Sequence, residues 1–240
     1  MWRHVPFLGK NIVSRRRQQK EKFANKRTTN RIELVAKTDR QAEYIQAIKY
    51  HPQVISVGCA GTGKTYIAAS IAADLIRRKE IDKIVLTRPN VSAGKSLGFF
   101  KGTMEEKLEP WVAPFTEVLK LHMGANAFEI ARKNGDIEIV PLEVMRGRSF
   151  NNSFVVLDEA QNTTVAEIKM FLTRIGEDTT VIINGDIAQC DLKEHSGLSK
   201  IIHMAKKYAM PIPVIEFTED DIVRSDICAM WIKSFNREGV

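Results

Sequence analysis

The stretch VISVGCAGTGKTYIAASIAADLIRRK, residues 54–79, decides the fold. Its first four residues are apolar or small and β-prone, so they form a buried strand. Its last fifteen carry apolar residues at helical spacing. Between them, Gly58-Cys59-Ala60-Gly61-Thr62-Gly63-Lys64-Thr65 matches G-x-x-x-x-G-K-[ST] at every position. In such a loop the glycines let the backbone wrap an anion so that successive N–H groups point inward. Lys64 brings a mobile charge to the β and γ phosphates, Thr65 offers a hydroxyl to Mg²⁺, and the helix directs its positive end at the same place. The loop therefore predicts a nucleotide-phosphate site.

Outward from this loop the chain alternates short apolar strands with helical stretches. Strands are expected at 54–58, 83–87, 137–142, 153–158, 180–184 and 213–217. A helical period runs through 103–122, with Pro110 expected to start a second helix. Thr164 and Glu167 form a capping box that opens a helix running to about Arg174. Strands that are apolar throughout imply an α/β fold whose parallel sheet is covered by helices on both faces. Ligands then bind at the C-terminal ends of the strands.

Two of those strand ends carry chemistry. FVVLDEAQ (154–161) closes in Asp158, placed to hold Mg²⁺, and Glu159, placed to polarise an attacking water. VIINGDIAQ (181–189) closes in Gly185-Asp186, with Gln189 three residues on, where a polar group can sense the γ-phosphate or the water. An acid pair beyond a phosphate loop points to hydrolysis rather than to binding alone.

Charge is unevenly distributed. The net charge is +7, yet ten of the 36 Lys/Arg and only one of the 29 Asp/Glu lie in residues 1–31. That segment stands at +9 and the remaining 209 residues at −2. The run SRRRQQKEKFANKR (14–27) lacks apolar periodicity, so residues 1–37 are expected to be a basic, partly disordered arm, with the catalytic domain over 38–240. Arg15, Arg16 and Arg17 suit a nucleic-acid contact, although a solubilising tail has the same composition. Three widely spaced cysteines fit neither a disulfide framework nor a zinc site. No apolar run reaches about 18 residues, and no signal-like segment opens the chain, so a cytoplasmic protein without a membrane partner is expected.

The motifs taken together resemble the PhoH-like proteins, a family related to the N-terminal core of superfamily 1 helicases. The resemblance rests on GCAGTGKT, TRPNVSAGKSLGF (87–99), MRGRSFNNSFVVLDEAQNTT (145–164), KMFLTRIG (169–176), NGDIAQCDL (184–192) and DIVRSDI (221–227). It implies a RecA-like ATPase core, ATP and Mg²⁺ as ligands, a ring-shaped homo-oligomer such as a hexamer, and RNA or single-stranded DNA binding or unwinding. It also implies roles for single residues. Gln41 matches a glutamine that reads adenine, Gln189 a sensor, and Arg88 a strand contact. Arg224 matches an arginine finger delivered by a neighbouring element or subunit, with Arg146, Arg148 and Arg174 as competitors. The chain departs from helicases in having no room for a second RecA-like domain, and from nuclease-fused relatives in having no second acidic domain. A nucleotide-dependent switch or assembly protein acting on a protein partner is the alternative reading.

Overall fold

The computed structural model describes residues 32–89, 104–192 and 196–238, with the side chains of 104–108 excepted. The chain divides into two units, Met1–Glu33 and Leu34–Val240. Only residues 32 and 33 of the first are described, so the arm with Arg15, Arg16 and Arg17 lies outside the described residues, as does 90–99 of the TRPNVSAGKSLGF stretch.

The second unit is a single sheet of six parallel strands in the order β3-β2-β4-β5-β1-β6. The strands are β1 (Gln53–Val57), β2 (Lys83–Thr87), β3 (Ile137–Ile139), β4 (Ser153–Leu157), β5 (Thr180–Gly185) and β6 (Val214–Glu216). The helices are α1 (Asp39–Tyr50), α2 (Lys64–Arg78), α3 (Met104–Met123), α4 (Ala125–Asn134), α5 (Val165–Leu172), α6 (Gly197–Lys207) and α7 (Asp226–Glu238). The strand bearing the phosphate loop, β1, is separated from the acidic strand, β4, by one strand, β5. This is the RecA-like order.

Both faces of the sheet are buried because successive side chains of a strand point to opposite sides. Val54, Ile84, Leu86, Phe154, Val156 and Ile182 face α1, α2, α3 and α4. Ile55, Val57, Val85, Val155, Leu157 and Ile183 face α5 and α6. β4 is buried at all five positions, and each such apolar side chain contributes about 1.5–3 kcal/mol. Two-sided burial explains why the strands read as apolar runs rather than as alternating patterns.

Helix and strand limits differ from the sequence expectations at proline and at caps. α3 runs unbroken through Pro110 and Pro114; Pro110 starts no second helix, since α3 packs along α2 and that contact outweighs the lost hydrogen bonds. β3 stops at Ile139 rather than 142, because Pro141 cannot donate to a ladder and instead leads a 3₁₀ turn, Leu142–Met145. The capping box at Thr164 and Glu167 is present, but α5 ends at Leu172.

One helix breaks the rule that apolar faces turn inward. α7 has no buried residue, and Ile227, Met230, Trp231 and Phe235 stand exposed along one stripe. Trp231 and Phe235 stack on each other at 5.7 Å. Polar contacts tie the helix to the preceding turn instead: Lys233 Nζ to Asp220 at 3.6 Å and Asn236 Nδ2 to Glu219 at 2.9 Å. No helix among the described residues is long and apolar enough to cross a membrane.

Candidate functional site

Parallel strands put all their C-terminal ends on one edge, and the register makes those ends neighbours. Val57 lies opposite Gly185 and Glu216, and Thr87 opposite Leu157. The residues that follow each strand therefore converge: Gly58 after β1, Arg88 after β2, Asp158 and Glu159 after β4, and Asp186 after β5.

The phosphate loop is built by backbone. Gly58 has φ +137°, and a Cβ there would lie 2.3 Å from the Phe217 carbonyl oxygen, so only glycine fits. Gly58 N–H donates to the Gly185 carbonyl at 3.2 Å, while Val223 N–H reaches the Gly61 carbonyl at 2.9 Å. Gly63, in the left-handed region, caps α2 without any side-chain hydrogen bond, which leaves the first N–H groups of the helix for an anion. Thr62 is buried and its hydroxyl donates to the Cys59 carbonyl at 3.1 Å. Cys59 itself is half-buried, and burial pushes its thiol up. Ala60 is exposed at the tip.

Lys64 Nζ folds back onto the loop, donating to the Gly58 carbonyl at 2.6 Å, the Cys59 carbonyl at 2.9 Å and Thr62 Oγ1 at 3.3 Å. Burial lowers its pKa, while the charges of Asp186, Asp158 and Glu159 oppose that shift. Thr65 Oγ1 lies 3.4 Å from Asp158 Oδ1. Burial pushes the Asp158 carboxyl above the usual aspartate range and the adjacent Glu159 charge adds to the effect, against Arg88 and Lys64. A hydroxyl and a carboxylate side by side are hard oxygen ligands of the type Mg²⁺ prefers. With the open glycine cradle and the free end of α2, they fit a nucleotide phosphate with its metal ion. Among the described residues no group of three or more His, Cys, Asp or Glu could hold a metal, so any ion here would take much of its shell from phosphate and water.

Glu159 has φ +53°, unusual for a side chain with a Cβ. Both its oxygens are engaged. Oε1 pairs with Arg88 Nη2 at 2.7 Å, and Oε2 accepts from Gln161 Nε2 at 2.6 Å. Arg88 also donates to the Trp111 carbonyl of α3. Gln161, only 1% exposed, accepts the Asp186 N–H on its Oε1 at 3.0 Å. Asp186 in turn holds Gln189 Nε2 at 3.0 Å and the Ala188 N–H at 3.1 Å. Gln189 is exposed at the end of this chain of contacts.

The other expected residues are placed as follows. Gln41 is 4% exposed and braces the loop: Nε2 donates to the Thr62 carbonyl at 2.9 Å and Oε1 accepts the Lys37 N–H at 2.8 Å. Arg224 comes from the chain's own loop between β6 and α7. A Cβ on Gly61 would lie 2.9 Å from its Cγ and 3.5 Å from its Nε, so its side chain overhangs the phosphate loop without help from another subunit. Of its competitors, Arg148 is taken by Glu138 and the Phe150 ring, Arg146 is exposed, and Arg174 buries its Nε without a partner.

Sequence reasoning assigns no role to Gln161, and treats Asp186 as a strand end or turn. Gln161 does stand at a fixed offset of two from Glu159, but its burial in a 3₁₀ turn, Ala160–Asn162, is invisible in sequence. Gly185 supports this turn closely; a Cβ there would meet Leu198 Cδ2 at 2.5 Å and Gln161 Oε1 at 2.9 Å.

The chain is similar to known proteins along most of its length. The chain is 40% identical over 207 residues to "Protein PhoH" of Escherichia coli (strain K12), covering 85% of this chain and 58% of that protein. It is 43% identical over 204 residues to a "PhoH-like protein" of Bacillus subtilis (strain 168), covering 84% and 64%. It thus spans about three fifths of these relatives' length. Among solved structures, the Pif1 helicase from Candida albicans aligns with 86% of this chain and 44% of its own, at 16% identity and a TM-score of 0.44. The family model described as "PhoH-like protein" matches residues 33–236, from just before α1 to the last turns of α7, and so the chain belongs to the PhoH-like family.

Proposed function

We propose that this chain is an Mg²⁺-dependent ATP hydrolase that couples turnover to RNA or single-stranded DNA as a homo-oligomer. The observation that carries the reading is Glu159: a carboxylate beyond β4, in the same cluster as Lys64, Thr65 and Asp158. A phosphate loop that only bound nucleotide would need no such base. In the reaction, Lys64 exchanges its loop carbonyls for phosphate oxygens, and the N–H groups of 61–65 orient the same phosphates. Thr65 and Asp158 would hold Mg²⁺, which would supply charge neutralisation at the phosphoryl oxygens. Glu159 takes a proton from the attacking water, and Gln161 keeps its carboxylate aimed. Arg224, already over Gly61, neutralises charge that develops on the transferred group. Gln41 reads adenine through the N–H and lone pair that its bracing bonds leave. Gln189 reports the state of the phosphates to the surface.

Strand coupling is supported by the +9 arm and by Arg88, whose charge lies at the strand-end edge. Self-association is supported by the apolar stripe of α7, which adjoins Arg224 and which a second copy would bury. Three cysteines, all free, support a reducing cytoplasmic setting.

The test is ATP hydrolysis measured with single-stranded RNA, with single-stranded DNA and with neither, alongside the mass in solution. Hydrolysis that rises with strands is the expected result. A flat rate across all three would favour a nucleotide-dependent switch acting on a protein, and full activity in monomers would overturn the oligomer.

A further inference from the structure

The contact between Arg88 and Glu159 joins two residues that the proposed function gives to different tasks, strand contact and water activation. The pairing of β2 with β4 brings the two residues near each other. β2 and β4 pair in register through Thr87 and Leu157, and Asp158 N–H donates to the Thr87 carbonyl at 3.0 Å. Arg88 therefore emerges level with Asp158, one residue before Glu159, whose left-handed backbone stands beside it.

Glu159 is held from two sides that differ in kind. Gln161 is buried and locked by the Asp186 N–H, so its hold on Oε2 is part of the scaffold. Arg88 is 22% and Glu159 35% exposed at the side chain. The ion pair is shielded enough to persist, yet it can be reached from solution. Its guanidinium is anchored at the far side by the Trp111 carbonyl, so it can change anion without leaving its place. A planar guanidinium suits a phosphate as well as a carboxylate. The left-handed backbone at Glu159 adds to this, since such a conformation persists only where partners hold it. A carboxylate whose two oxygens already carry an N–H from Arg88 and one from Gln161 is badly placed to accept a proton from water.

We propose that the Arg88–Glu159 ion pair is a clamp on the hydrolytic carboxylate, opened when a backbone phosphate of a bound strand takes the guanidinium. The proposal rests on the reading of the chain as a strand-coupled ATP hydrolase. Strand binding then switches on the site by removing a restraint, and Arg88 is a positioning residue for Glu159.

The experiment measures ATP turnover of the full chain, wild type and variants, with and without single-stranded poly(U). Arg88→Gln keeps a donor for the Trp111 carbonyl and loses the charge; Arg88→Ala loses both, and a melting curve checks that each folds. Both are expected to hydrolyse ATP without poly(U) faster than wild type, by about fivefold or more, a typical coupling between sites. Both should gain little from poly(U) and bind it more weakly. The double variant Arg88→Gln/Glu159→Gln should be as inactive as Glu159→Gln alone, because the acceleration runs through Glu159. If poly(U) stimulates wild type while Arg88→Gln turns over without it at or below the wild-type rate, the clamp is wrong and the strand-coupled reading stands. Wild-type turnover indifferent to poly(U) overturns that reading and this proposal with it.

Discussion

Lys64 is held by three acceptors that lie within six residues of itself, all in the loop between β1 and α2. Glu159 is held by Arg88 from the end of β2 and by Gln161 from a buried turn, and Gln161 is itself fixed by Asp186 from the end of β5. The half of the site proposed to hold phosphate is thus local and made largely of backbone. The half proposed to activate water is assembled from side chains that only the sheet brings together. Such a difference has a consequence for mutation. The side-chain contacts of Lys64 close within the loop, whereas substitution of any member of the Glu159 cluster disturbs the others.

The largest expected effect tests the local half. Lys64→Ala should lower turnover by about 100-fold or more, the scale at which removal of one preorganised charge acts, and weaken ATP binding as well. ATP binding at wild-type strength would mean that the backbone cradle suffices without the Lys64 charge. Glu159→Gln tests the other half: hydrolysis should be lost while ATP binding survives. It also carries a pH signature. Burial and the Glu159 charge both raise the Asp158 carboxyl above its ordinary value of 3.8. Mg²⁺-dependent ATP binding should therefore fail on the acid side above that value, as the Asp158 carboxylate takes up a proton. Removing the Glu159 charge should move the midpoint to lower pH, and an unmoved midpoint would separate the two carboxylates.

Gln161→Ala is expected to be milder, with turnover down about tenfold from lost positioning of Glu159 and ATP affinity near wild type. It should also cost about 1–3 kcal/mol of stability, since the Asp186 N–H loses its acceptor. Loss of stability with normal turnover would reduce Gln161 to a structural brace. The smallest effect lies away from the site, at the edge strand β3. Burial works against the charge of Glu138, but hydrogen bonds and charge from Lys83 and Arg148 outweigh it and hold the carboxyl below its ordinary 4.5. Its contribution is present above about pH 4.5 and is lost as pH falls through the lower folded value. Glu138→Gln should cost about 1 kcal/mol near neutral pH, given partial exposure and screening, and less in acid; equal loss at both pH values would rule the ion cluster out as the cause.

Legibility in the sequence followed the same division. All six strands were readable to within a few residues, because burial on both faces leaves each one as an apolar run. The capping box at Thr164 and Glu167 and the phosphate loop were readable because their hydrogen bonds close over a few residues. β3 and α3 were misjudged at Pro141 and Pro110, where packing and ladder geometry compete with local preference. α4, α6 and α7 carried weaker signals; α7 in particular reverses the inward rule. Gln41 was found beside the loop, but its bonds to Thr62 and Lys37 are a bracing role that no sequence pattern announces.

The α/β class, the phosphate loop with Lys64 and Thr65, the acid pair at Asp158 and Glu159, and the family are all legible in the chain as written. Each is written in contiguous residues whose chemistry depends on backbone conformation and near neighbours. That Arg88 grips Glu159, that Gln161 links it to Asp186, and that Arg224 overhangs Gly61 from its own chain emerges in the folded molecule alone. Those contacts span 25 to more than 160 positions or turn on burial, and the order of the strands with the path of the turns beyond them brings such partners together.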